Sequence, residues 1–209
     1  LVKKSSENNY NSHCLFVSNK DEIPENFNNF KSNCSKKYKN KFGSRGIDYM
    51  YNKIPDNIKK EYIQYFKILK LKKELQDKVD KYSKNFSKNT ISLHIRSWNR
   101  KNETGRSNLF NYKKFENEIE KYEIRYNFFL CSDSQKVKDY FKNKYGDRIL
   151  SYPRKTDLDT SRDFPEGIQE DLIELYLLSK NNIIIGSHFS TYTEVAWWLN
   201  GCTDNITIL

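Results

Sequence analysis

The sequence predicts an α/β fold, a doubly wound parallel sheet over residues 86–209, preceded by a partly helical segment over 1–85. Two observations predict it. Short apolar runs alternate with helical-period stretches through the second half, at the spacing of strand–helix units. The run Ile183, Ile184, Ile185 shows no polar alternation, as in a strand covered on both faces.

Taken in order, the first 50 or so residues carry little pattern. An apolar run at Cys14–Val17 leads into a stretch rich in Asn, Lys and Ser, and Ile47–Tyr51 reads as a strand or a turn. From Pro55, suited to a first helical turn, Ile58, Tyr62, Tyr65, Phe66 and Leu69 recur at helical spacing. Leu71, Leu75, Val79 and Tyr82 continue it, so one bent helix or two consecutive helices run to about Ser83. Thr90–Ile95 is then a strand, Tyr112–Tyr122 a helix and Asn127–Cys131 a strand. Ser134–Tyr145 is a helix capped by Ser134 and ended by Gly146. A short strand at Arg148–Ser151, a helix at Ile168–Ser179, a strand at Asn182–Gly186 and a helix at Thr191–Leu199 follow, with Ile206–Leu209 as an edge strand. The arrangement is Rossmann-like.

Composition narrows the function classes. Only 36% of the 209 residues are hydrophobic, but 15% are aromatic, so Tyr, Phe and Trp supply much of the core. The net charge of +10 invites a nucleic-acid reading, yet the lysines are interleaved with acids: Lys67, Lys70, Lys72 and Lys73 are followed by Glu74, Asp77 and Asp80. A solvated helix face explains that run, and nucleic acid is not the expected partner. The four cysteines (Cys14, Cys34, Cys131, Cys202) show no metal-ligand spacing; Cys131 lies in a strand, and a Cys14–Cys34 disulfide stays open. No apolar run approaches the length of a membrane span and no leader-like run opens the chain, so the expectation is a cytoplasmic location.

In an open parallel sheet, ligands bind beyond the carboxyl ends of the strands. Those positions hold His94, Arg96, Ser97 and Asn99 after the first strand. Ser132 and Asp133 follow the second, and Gly186, Ser187, His188 and Ser190 follow the apolar one. Such a set suits an anionic, hydroxyl-rich ligand. Arg96 either binds a pyrophosphate through its forked donors or pairs with a neighbouring carboxylate. Ser187, Ser190 and Thr191 either surround a phosphate at a helix start or simply cap that helix. Asp133 is either a ribose or pocket partner or the residue before a cap. Neither GxGxxG nor GxxxxGK[ST] occurs, and no DxD-like motif ends a strand, so a metal site is not expected.

The stretches ISLHIRSWN, FFLCSDS and DLIELYLLSKNNIIIGSHFSTYTEVAWWL together resemble the donor-binding half of the α1,2-, α1,6- and protein O-fucosyltransferase superfamily. The resemblance covers roughly residues 88–200. It implies a GT-B-type nucleotide-sugar-binding domain and an inverting, metal-independent transferase without a cofactor, using GDP-fucose as donor and a glycan as acceptor. By position it implies Arg96 at the β-phosphate, His94 at the guanine end and Glu174 as the carboxylate reading guanine. It implies Ser190 and Thr191 around the phosphates and Asp133 as the carboxylate of the second strand. Where many members carry Arg-Arg or R-R-G-D after the His, Ser97, Trp98 and Asn99 stand here, with Arg100 as a substitute cation. Glu103 is the candidate base, with Asp133 behind it. The 85 residues before the donor half are too few for a full acceptor lobe, which is expected to be reduced, absent or outside this chain. The alternatives are a transferase using another nucleotide sugar, and a non-catalytic basic nucleic-acid-binding or scaffold domain.

Overall fold

The computed structural model describes residues 54, 56–98, 109–158 and 163–209. Five parallel strands form one sheet in the order β3-β2-β1-β4-β5, where β1 is Thr90–Ile95, β2 Asn127–Ser132, β3 Ile149–Leu150, β4 Ile184–Gly186 and β5 Ile206–Ile208. The helices are α1 (Asp56–Ile68), α2 (Lys73–Ser83), α3 (Tyr112–Ile119), α4 (Gln135–Tyr145), α5 (Pro165–Leu178) and α6 (Thr191–Asn200). The chain moves outward from β1 through β2 to β3, then returns to lay β4 against the other side of β1. That reversal opens a crevice between the carboxyl ends of β1 and β4.

The strand pleat sorts the core. Ile91, Leu93 and Ile95 of β1 join Phe128 and Leu130 of β2 on the face covered by Phe115 and Ile119 of α3 and Val137 and Phe141 of α4. Phe129 and Cys131 point the other way, onto Leu75 and Val79 of α2 and Ile173 and Leu177 of α5. Ile184 meets a third cluster in which Tyr62 and Phe66 of α1 pack on Trp197 and Trp198 of α6. Phe66 stacks on Trp198 with ring centroids 5.8 Å apart. Residues 56–83, read as part of an N-terminal segment, therefore share their cores with the sheet.

The helical stretch expected to Ser83 is two helices. The second, α2, holds an exposed Lys73–Asp77 pair of 3.1 Å, as a solvated face should. Ser134 occupies the N-cap position of α4 without a side-chain cap bond, and Gly146 ends that helix with φ of 56°. The helix expected from Ile168 starts three residues earlier, because Pro165 sits in its first turn. The readings at Cys14–Val17, Cys14–Cys34, Ile47–Tyr51 and Pro55 lie outside the described residues. Cys131 and Cys202 are free thiols.

Candidate functional site

The other edge of the β1 pleat is polar. Ser92 and His94 face α5 and α6 from inside a buried strand, so each needs a partner. Ser92 donates to the Leu178 carbonyl at 2.6 Å and accepts from Asn181 at 3.0 Å. His94 Nδ1 lies 2.8 Å from Thr193 Oγ1 and 3.3 Å from Ser190 Oγ, and its ring lies 4.9 Å from that of Tyr192. Burial lowers the His94 pKa from 6.5 to about 3, with Arg96 and Lys138 adding to the effect and Asp133 opposing it. The imidazole is therefore neutral near pH 7.

Beyond the strand end, each polar residue braces the next. The Arg96 backbone N–H donates to Ser187 Oγ at 2.7 Å, and that hydroxyl donates to the His94 carbonyl at 3.2 Å, tying the ends of β1 and β4 together. Asp133, at the end of β2, accepts from the Ser97 N–H at 2.7 Å through Oδ1 and faces Arg96 Nη1 at 3.1 Å through Oδ2. The guanidinium also lies over the Trp98 ring, 5.2 Å from its centroid. A π-face suits an Arg neighbour. The Ser97 hydroxyl, 1% exposed, meets no hydrogen-bond partner among the described residues.

Two bulky residues here adopt a left-handed backbone: Trp98 and Phe189, each with φ of 56°. One follows β1 and the other β4. Such conformations cost on the order of 1–3 kcal/mol each and gather at ligand sites. Directly after Phe189 begins α6, whose N-cap Ser190 accepts from the Thr193 N–H at 3.3 Å. Thr191 is half-buried in its first turn. Helix and strand approach closely: a Cβ on Gly186 would stand 2.2 Å from Thr193 Cγ2.

Glu174 is paired with cations of its own. It is 2% exposed on α5, and its two carboxylate oxygens accept from Lys138 at 2.5 Å and Arg154 at 3.0 Å. Arg154 also reaches Asp171 at 2.6 Å and lies 3.6 Å from Glu170. Glu103, Asn99 and Arg100 lie outside the described residues. The structure thus brings His94, Arg96, Asp133, Ser187, Ser190 and Thr191 to one sheet edge and gives Glu174 cationic partners of its own. The reading of strand ends missed Thr193, which faces His94 from the first turn of a helix, and Trp98, which carries no polar signal. Among the described residues, no group of three His, Cys, Asp or Glu side chains could hold a metal ion, and no helix is long and apolar enough to cross a membrane.

No protein-family model matches the sequence, and no curated protein matches it. Solved structures do. The chain is similar in structure to a fucosyltransferase. NodZ α-1,6-fucosyltransferase co-crystallised with GDP shares 24% identity over 63% of this chain and 43% of its own, with a TM-score of 0.47. The same enzyme soaked with GDP-fucose shares 24% identity over 64% and 44%, with a TM-score of 0.47. The selenomethionine form from Bradyrhizobium shares 24% identity over 63% and 43%, again with a TM-score of 0.47. The chain spans less than half the length of these structures.

Proposed function

We propose that the crevice between β1 and β4 binds the diphosphate of a nucleotide sugar, and that the chain is the donor-binding part of an inverting glycosyltransferase. One observation carries the reading. Arg96 is held between the Asp133 carboxylate and the Trp98 ring at the point where strand order reverses. The N-terminus of α6 opens beside it, where unpaired N–H groups and the helix dipole favour an anion. GDP-fucose is the favoured donor, on the sequence resemblance, and a glycan hydroxyl the acceptor.

In the transfer, the bond between the sugar's anomeric carbon and the diphosphate oxygen breaks as a bond to the acceptor oxygen forms on the opposite face. The acceptor proton passes to a base, and the electron pair leaves on the diphosphate. Arg96 and the α6 N-terminus stabilise that charge, so no metal is required. Ser187 and Asp133 hold Arg96 in place through the contacts above. Glu103 is the base the resemblance proposes. Asp133 is engaged by Arg96 and the Ser97 N–H and serves better as a positioning residue.

The test is a thermal-shift titration with GDP-fucose, GDP, UDP and ADP in the presence of EDTA. A ligand at 100 times its dissociation constant stabilises by about 2.7 kcal/mol. The expected result is a shift with GDP ligands that Arg96→Ala removes. A shift with UDP or ADP alone would move the donor to another nucleotide sugar, and no shift with any of the four would overturn the reading.

A further inference from the structure

A cleft of about 610 Å³ opens between α2, the loop after β3 and the start of α5. Asn85, on one wall, belongs to the stretch that leads from α2 into the start of β1, so this wall lies toward the amino edge of the sheet. Arg96 follows the other end of β1, and the cleft adjoins the edge strand β3. It is therefore a place apart from the crevice between β1 and β4. We propose that the cleft is a second ligand site, which takes a small organic anion with a flat apolar body, of the class of aromatic carboxylates and sulfonates. The proposal stands independently of the diphosphate reading.

The interior is apolar and held still. Tyr82 and Tyr152 meet edge to face with ring centroids 5.4 Å apart, and the buried Ile173 of α5 adds an aliphatic surface. Tyr82 is packed from behind by Phe129 at 5.8 Å and Phe86 at 5.9 Å. Its hydroxyl donates to the Ser151 carbonyl at 2.6 Å, so the polar end of the side chain is already used. The loop wall is fastened as well: Glu170 accepts from the Lys155 N–H at 2.7 Å and the Thr156 N–H at 3.1 Å. Walls fixed before a ligand arrives spare the ordering cost of binding. The volume falls within the usual range of small-molecule sites.

The rim supplies the charge. Lys78 and Lys81, neighbours at i and i+3 on α2, and Lys155 of the loop bring three exposed ammonium groups to the cleft. None of the three is paired with a carboxylate among the described residues, whereas Lys73 of the same helix is held by Asp77 at 3.1 Å. Two acids also line the cleft. Glu170 is engaged by the loop and lies 3.6 Å from Arg154, and Glu166 is exposed. The rim therefore stays positive with both counted. An anion with a flat body meets both features, since its body leaves water against the tyrosines and Ile173 while its charge faces the lysines. A neutral ring would gain the first alone, and an inorganic anion the second alone.

Fluorescence titration of the full chain with 8-anilinonaphthalene-1-sulfonate, and with its uncharged counterpart N-phenyl-1-naphthylamine, tests this. Asn85→Trp and Gln169→Trp each fill the cleft, from opposite walls and at exposed positions. A third variant joins Lys78→Gln, Lys81→Gln and Lys155→Gln, which removes the rim charge. The expected result is one sulfonate bound per chain, weakened tenfold or more in all three variants. The uncharged probe should weaken in the two Trp variants alone, and saturating GDP should leave the sulfonate in place. An unaltered chain that binds no sulfonate, binding that survives both Trp substitutions, or displacement by GDP overturns the second site. Equal binding of the sulfonate with and without the three lysines overturns its assignment to an anion. A chain that binds the sulfonate as expected but no GDP keeps this inference and loses the donor reading.

Discussion

Two arginines stand at the same edge of the sheet, and they are held in different ways. Arg154, after β3, faces Asp171 at 2.6 Å, Glu174 at 3.0 Å and Glu170 at 3.6 Å, and donates to Thr156 and the Gly167 carbonyl at 3.3 Å. Burial works against its charge, yet the surrounding carboxylates raise its pKa above the ordinary value. Arg96, after β1, pairs with Asp133 and lies on the Trp98 ring. Arg154 is a fastening, whose charge is consumed in joining a loop to α5. Arg96 is an oriented charge at a crevice, beside a helix N-terminus. An arginine at a strand end is thus not a phosphate site by virtue of its type; the surrounding carboxylates decide.

The sharpest way to break this contrast is to remove a partner from the fastening. Glu174→Ala would leave Lys138 and Arg154, whose side chains are both 6% exposed, short of a carboxylate. Unpairing a buried charge costs about 3–5 kcal/mol. Urea unfolding should show a loss of that size, with the remaining folded protein still gaining stability from GDP. A loss under ~1 kcal/mol would remove the distinction between the two arginines.

A smaller effect is expected at the crevice floor. Gly186→Ala puts a Cβ against the Thr193 side chain, and overpacking of this kind costs typically 1–3 kcal/mol. It should also displace the N-terminus of α6 from β4, so GDP binding falls with stability. Glu174→Ala and Gly186→Ala then separate by ligand response: the first keeps it and the second loses it.

His94 supplies a pH test of the same face. Its folded pKa is about 3 against 6.5 in the unfolded chain. Above pH 6.5 both states hold a neutral ring and it contributes no pH dependence. As pH falls from 6.5 towards 3 the unfolded state takes up the proton first, so stability declines, by up to about 1.4 kcal/mol per pH unit. In urea titrations across this window, His94→Gln should flatten the decline relative to the unaltered chain. An identical slope in both would mean that the ring takes up its proton as readily in the fold as in the unfolded chain.

Much of this was legible beforehand. β1 begins and ends as its apolar–polar boundary indicates, and the order of elements follows from hydrophobic period alone. The crevice residues were legible because a parallel sheet exposes whatever follows each strand. What was not legible depended on contacts between distant positions. Glu174 reads as a helix residue near a strand, and only packing shows Lys138 and Arg154 on its oxygens, 36 and 20 residues away. The left-handed Trp98 and Phe189 could not be foreseen either, since glycine and asparagine are the residues that announce such a backbone.

The smallest effect separates the two meanings of Ser190, helix cap and phosphate contact. As a cap it accepts from the Thr193 N–H, and Ser190→Ala should cost ~1 kcal/mol in a urea melt. That loss alone cannot tell the roles apart, because a capped helix and an anion site use the same N–H groups. Ser190→Asp can. Aspartate caps as well as serine, so stability should hold near its original value, while a carboxylate at the α6 N-terminus takes the anion's place and repels a diphosphate. Stability retained with GDP binding lost would set the anion at this helix end. Stability and binding both retained would leave Ser190 a cap, with the diphosphate held by Arg96 from the strand side alone.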